Sequence, residues 1–145
     1  MKPNHILLVE DNEGDIFLLK EALEERKIVN KLSIARDGLE AVDFLQMGIV
    51  AADKDLPDLI LLDINLPRMN GHEVLKFIKI NDHLKRIPVI ILSTSSNDAD
   101  IITAYNNHAN CFITKPSELT DFFIMMRIIE TFWFGIVRLP NESSV

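Results

Sequence analysis

The chain has 145 residues, a formal net charge of -7 and a hydrophobic fraction of 48%. That length and apolar content fit one domain with its own core and exclude an intrinsically disordered chain. The acidic balance argues against a protein that grips a nucleic-acid backbone, and no apolar run approaches the ~20 residues that span a bilayer.

Apolar runs of strand length alternate with longer stretches of helical period. A strand over 5–10 leads to a helix over 14–27, whose inner face is Ile16, Leu19, Ala22 and Leu23. The run Glu21, Glu24, Glu25, Arg26, Lys27 reads as its solvated face. A second strand covers 31–36, Asp37-Gly38 makes a turn, and a helix through Ala41, Val42 and Leu45 ends near Gly48. A polar loop over 52–58 precedes the third strand, Leu59-Ile60-Leu61-Leu62. Asn70 can cap a helix over 71–80, with Val74, Leu75 and Ile78 inward. Pro88 opens a fourth strand over 89–92, followed by a helix over 98–108. A fifth strand covers 111–114, and Ser117 caps a last helix running to about Phe132.

Such alternation builds βαβ units, so the expected fold is α/β: a doubly wound, five-stranded parallel sheet with helices on both faces. Strand order 2-1-3-4-5 is expected because it gathers the ends of strands 1, 3 and 5 at the switch point. There is no internal repeat or linker. We expect one domain over 1–145, with 134–145 as a short C-terminal extension too small for a DNA-binding module.

The strand ends carry the chemistry. Glu10 and Asp11 follow the first strand, Asp63 the third, Ser93-Thr94 the fourth and Lys115-Pro116 the fifth. Two carboxylates ~5 Å apart repel by ~3 kcal/mol at an effective dielectric of ~20. Three need a compensating cation or raised pKa values, and oxygen donors that also receive phosphate suit Mg²⁺. Asp63 is placed to attack a phosphoryl group, Lys115 to neutralise its oxygens and Ser93 to hydrogen-bond it afterwards. Taken singly, each piece has a plain reading as a helix-start charge, a turn or a cap. Their position at the same end of successive strands is what argues for a site.

These residues resemble the receiver domain of bacterial two-component response regulators, a flavodoxin-like (CheY-like) fold. The matching segments are Leu8-Val9-Glu10-Asp11-Asn12, Pro57 through Asp63, Leu66-Pro67-Arg68-Met69-Asn70-Gly71, Pro88 through Ser93 and Ile113-Thr114-Lys115-Pro116. The resemblance spans roughly 4–133. It implies that Asp63 accepts a phosphoryl group from a histidine kinase, with Mg²⁺ (or Mn²⁺) held by Glu10, Asp11, Asp63 and the backbone carbonyl of Asn65. It implies Asp11 as the direct ligand and Glu10 as one acting through water. Ser93 and Phe112 match the switch positions and Lys115 the family lysine, with a cis bond to Pro116. Asn12-Glu13-Gly14-Asp15, the loop before Asp58, Ser93-Thr94-Ser95 and Phe132-Trp133 with Leu139-Pro140 are similar to stand-alone regulators paired with phytochrome-type kinases.

The last helix is apolar nearly all round, from Phe122 to Phe134. Either the tail folds back over it, or it forms a homodimer contact through helix 4, strand 5, helix 5 and the tail; we favour the dimer. The histidines, His5, His72, His83 and His108, lack ligand spacing and read as surface residues. Cys111, the one cysteine, reads as packed in the sheet; no internal disulfide is possible. With no signal-peptide pattern at the start, a cytoplasmic protein is expected, with a sensor histidine kinase as partner and no nucleic acid or membrane. Two rivals stand beside this reading. One is an aspartyl-phosphate phosphatase, against which stands Asn65 where a second acid is wanted. The other is a binding module that has lost phosphorylation. On the favoured reading the chain modifies itself and is not a turnover enzyme.

Overall fold

The computed structural model describes residues 4–29, 31–51, 55–95 and 97–140. Part of the polar loop before the third strand and the end of the C-terminal extension lie outside them. Strands β1 (His5–Val9), β2 (Lys31–Ala35), β3 (Leu59–Leu62), β4 (Val89–Ser93) and β5 (Cys111–Thr114) alternate with five helices. These are α1 (Glu13–Arg26), α2 (Gly38–Val50), α3 (Gly71–Ile80), α4 (Asp98–Asn106) and α5 (Leu119–Thr131). All strand pairs are parallel and the order is β2-β1-β3-β4-β5, as expected.

Successive strand residues point to opposite faces, and both faces are covered. Leu7, Val9, Ile60, Leu62 and Ile91 pack with Leu45 of α2 and Val74, Leu75 and Ile78 of α3. Ile6, Leu8, Leu61 and Ile90 pack with Leu19 and Leu23 of α1 and Phe122 and Met126 of α5. Cys111 is half-buried against this second layer, and burial pushes its thiol pKa up.

The helices start where short polar side chains satisfy their first N–H groups. Asn12, Asp37, Asn70 and Asn97 accept from Asp15, Glu40, Glu73 and Asp100 backbone N–H groups, and α3 adds a capping box through Glu73. Each cap stabilises its helix start by ~1 kcal/mol. Asn12, Asp37 and Asn97 lie soon after a strand end and Asn70 closes the turn that Asp63 opens, so the turns around the carboxylates are held. Gly71 brings α3 hard against β3: a Cβ there would lie 2.1 Å from the Asp63 carbonyl oxygen.

Four expectations are corrected. Gly48 does not end α2, which continues to Val50. A Cβ at 48 would meet Leu56 Cδ2 at 2.7 Å, so the glycine serves helix packing. Ser117 does not cap α5. It lies one residue too early, and Glu118 precedes the first helical residue without a side-chain cap bond. The Lys115–Pro116 bond is trans, the isomer an X–Pro bond favours by ~0.5–1 kcal/mol. His5 is fully buried and His72 half-buried. His5 opens β1, paired on both sides. Its Nε2 meets Ser33 Oγ at 2.8 Å, and its ring stands edge-on to Phe44 with centroids 6.1 Å apart. His83 and His108 are exposed, as expected.

Beyond α5 the chain makes a π-helical turn, Phe132–Ile136. Trp133 and Phe134 fold back as half-buried residues against the second core layer. Ile124, Ile128, Phe132 and Ile136 stay exposed. Among the described residues no helix is long and apolar enough to cross a membrane.

Candidate functional site

β1 and β3 are neighbours at the centre of the sheet, and Val9 registers with Leu62. Glu10 and Asp63 therefore emerge side by side. Glu10 is buried; its Oε2 accepts from the backbone N–H groups of Asp11 at 3.1 Å and Asn12 at 3.3 Å. Asp63 is buried too, and its Oδ1 accepts the Ile64 N–H at 2.7 Å. Asp11 is exposed at the rim. Oxygens of Glu10, Asp11 and Asp63 all lie within 4.8 Å of one another.

Lys115 comes from the end of β5, and 6% of its side chain is exposed. Its Nζ pairs with Glu10 Oε1, with Asp15 Oδ2 at 2.8 Å and with Asp63 Oδ2 at 3.3 Å. Burial pulls the ammonium pKa down. The bonds to Asp15 and Glu10 outweigh that pull and hold it above its ordinary 10.5. Burial pushes the Glu10 carboxyl up to about 7, with Lys115 opposing and Asp63 adding to the rise. Three carboxylates thus face one ammonium, and a fourth, Asp11, stands beside them. Hard oxygen donors, an uncompensated negative charge and an open rim at Asp11 fit a divalent cation.

Ser93 is buried at the end of β4. Leu62 registers with Ile91, so Asp63 and Ser93 follow within two residues of one rung. The Ser93 hydroxyl oxygen accepts the Ser95 N–H at 3.2 Å. Asn65 is exposed on the loop that follows Asp63. Phe112 on β5 is half-buried against the α2–α3 side of the core, and its N–H donates to Tyr105 Oη at 3.1 Å.

Two features escaped the reading of the sequence. Asp15, in the first turn of α1, joins Lys115 from 100 residues away in the chain. Asp100 of α4 links Ser95 Oγ at 2.6 Å to His72 Nε2 at 3.0 Å. Nothing in the local pattern marked that pair.

A doubly wound 2-1-3-4-5 sheet with three clustered carboxylates and a lysine at its strand ends defines a class, and the comparisons agree with it. Residues 6–127 match the response regulator receiver domain, and the chain belongs to that family, which acts in two-component signalling. It is similar to response regulator Rcp1 of Synechocystis sp., at 49% identity over 138 residues, 95% of this chain and 94% of that protein. Among solved structures it is similar to the phosphorylated cyanobacterial phytochrome response regulator RcpA. The TM-score there is 0.90 at 45% identity, covering 97% of this chain and 100% of the other. It is similar too to the Mn²⁺-bound form of response regulator Rcp1, with a TM-score of 0.88 at 48% identity, covering 96% and 100%.

Proposed function

We propose that this chain is a single-domain response regulator, one receiver domain with a short extension from residue 134. A histidine kinase phosphorylates it on Asp63 in a Mg²⁺-dependent reaction. The observation that carries this reading is the meeting of Lys115 with both Glu10 and Asp63 beside a cation-sized group of carboxylates.

Asp63 Oδ1 is tied to the Ile64 N–H, which orients the carboxylate and leaves Oδ2 toward Lys115. On this reading Oδ2 attacks the phosphorus of a phosphohistidine and the imidazole leaves. Glu10, Asp11, Asp63 and the Asn65 carbonyl would hold Mg²⁺, or Mn²⁺ in its place; the ion neutralises charge on the transferring group. Lys115 pairs with a phosphoryl oxygen, and the Ser93 hydroxyl turns from Ser95 N–H to donate to another. Phe112 then repacks on β5, and the change reaches α4, β5 and α5. The chain modifies itself once per cycle and releases no turned-over substrate.

The similarity to Rcp1 and RcpA supports a phytochrome-type kinase as partner and a cytoplasmic setting. The exposed Ile124, Ile128, Phe132 and Ile136 support a homodimer through α4, β5, α5 and the tail. Acetyl phosphate with Mg²⁺, read by intact mass, tests the assignment. The natural chain gains one phosphoryl group and Asp63→Asn gains none; full labelling of that variant disproves it.

A further inference from the structure

We propose that Asp15 is a positioning residue: it draws the Lys115 ammonium toward itself, so that a divalent ion can enter among Glu10, Asp11 and Asp63. The proposal rests on reading those three carboxylates as the cation ligands.

An ammonium has three N–H donors, and three carboxylates meet them here. Two of the three, Glu10 and Asp63, are residues an entering cation would also use. Lys115 and the ion therefore compete for the same oxygens. With only 6% of its side chain exposed, Lys115 has little water around it to replace those oxygens when the ion arrives. It needs a partner outside the cation site.

Asp15 meets that need. It is not among the clustered carboxylates, yet its Oδ2 lies 2.8 Å from Lys115 Nζ, closer than Asp63 at 3.3 Å. Its backbone is fixed by the Asn12 cap at 2.9 Å, so the carboxylate has a set position in the first turn of α1. Asp15 and Lys115 also line a pocket of about 350 Å³ with Asn12, Thr94 and Pro116, which leaves space for the ammonium to shift. Without the Asp15 charge, Lys115 falls back on Glu10 and Asp63 and obstructs the ion.

Calorimetric titration of the full chain with MgCl₂ tests this as a double-mutant cycle over Asp15→Asn and Lys115→Met. Asp15→Asn weakens Mg²⁺ binding about 5-fold in the natural background and less than ~2-fold beside Lys115→Met. Asp15→Glu, which keeps the charge, recovers most of the loss. Equal factors in both backgrounds would mean that Asp15 acts only as a distant charge, and would overturn the proposal, as would no loss in either. In the metal-free chain the ¹⁵N resonance of Lys115 Nζ moves in Asp15→Asn; an unmoved resonance counts against the contact. A natural chain that takes up no Mg²⁺ removes the cation site and this inference together. Uptake with equal losses leaves the site standing and removes the role of Asp15 alone.

Discussion

His72 Nε2 lies 3.0 Å from Asp100 Oδ1 and ties the first turn of α3 to the first turn of α4. The other Asp100 oxygen accepts from Ser95 Oγ at 2.6 Å, and the Ser95 N–H reaches Ser93 Oγ at 3.2 Å. A hydrogen-bonded chain therefore runs from the proposed switch hydroxyl to two helix starts. Its bonds to Ser95 and His72 hold the Asp100 carboxyl below the ordinary 3.8. A lowered carboxyl stabilises the fold fully above that ordinary value and loses its contribution as pH falls through the folded one. Asp100→Asn should therefore cost about 1 kcal/mol near neutral pH and flatten the acid limb of stability. Chemical denaturation across acidic pH checks this, and an unaltered limb would contradict it.

Glu10 runs the other way. Burial raises its carboxyl to about 7, so the folded chain holds that proton more tightly than the unfolded one. Its stabilising contribution is complete below the ordinary 4.5 and fades as pH rises through about 7. Metal-free melting temperature should fall across that window. Mg²⁺ needs the ionised oxygen, so its affinity should drop as pH falls through about 7. Glu10→Gln should remove both trends. Melting curves with chelator and with Mg²⁺ across pH are the measurement; identical curves for the two chains would refute the assignment.

Lys115 should separate stability from signalling. Lys115→Met leaves Glu10 and Asp63 buried without their cation, and removing one partner of such a group costs ~3 kcal/mol. Added Mg²⁺ should restore most of that stability, because it neutralises the same oxygens. The structural response to acetyl phosphate should stay lost, since no ammonium remains to pair the phosphoryl oxygen. Urea unfolding with and without Mg²⁺ reads the first effect and amide chemical shifts the second. Stability and response recovering together would remove the proposed role.

The exposed face of α5 gives the proposed dimer a clean probe. Ile128 is 61% exposed, so Ile128→Glu should leave monomer stability within about 0.5 kcal/mol. The same change should shift a dimer to monomer in sedimentation velocity. Trp133 is the poorer probe, because it packs against its own core. An unmoved sedimentation profile for Ile128→Glu would remove the interface.

The sequence by itself determined the architecture and the chemistry at the strand ends. Fully apolar strands between amphipathic helices have one good way to bury both faces, so the run Leu59 to Leu62 places Asp63 at the carboxyl end of a buried strand. Asn70 announced α3 through its cap, because cap bonds span only three residues. Features that rest on distant partners were decided by tertiary structure alone. Asp15 and Lys115 are 100 residues apart in the chain, and no local period marks that pairing. His5 read as a surface residue, yet Ser33 and Phe44 bury it. Gly48 looked like a helix end until Leu56 packed against it. Local hydrogen bonding and hydrophobic period are written along the chain, whereas a contact between remote side chains exists only once the sheet has brought its strand ends together.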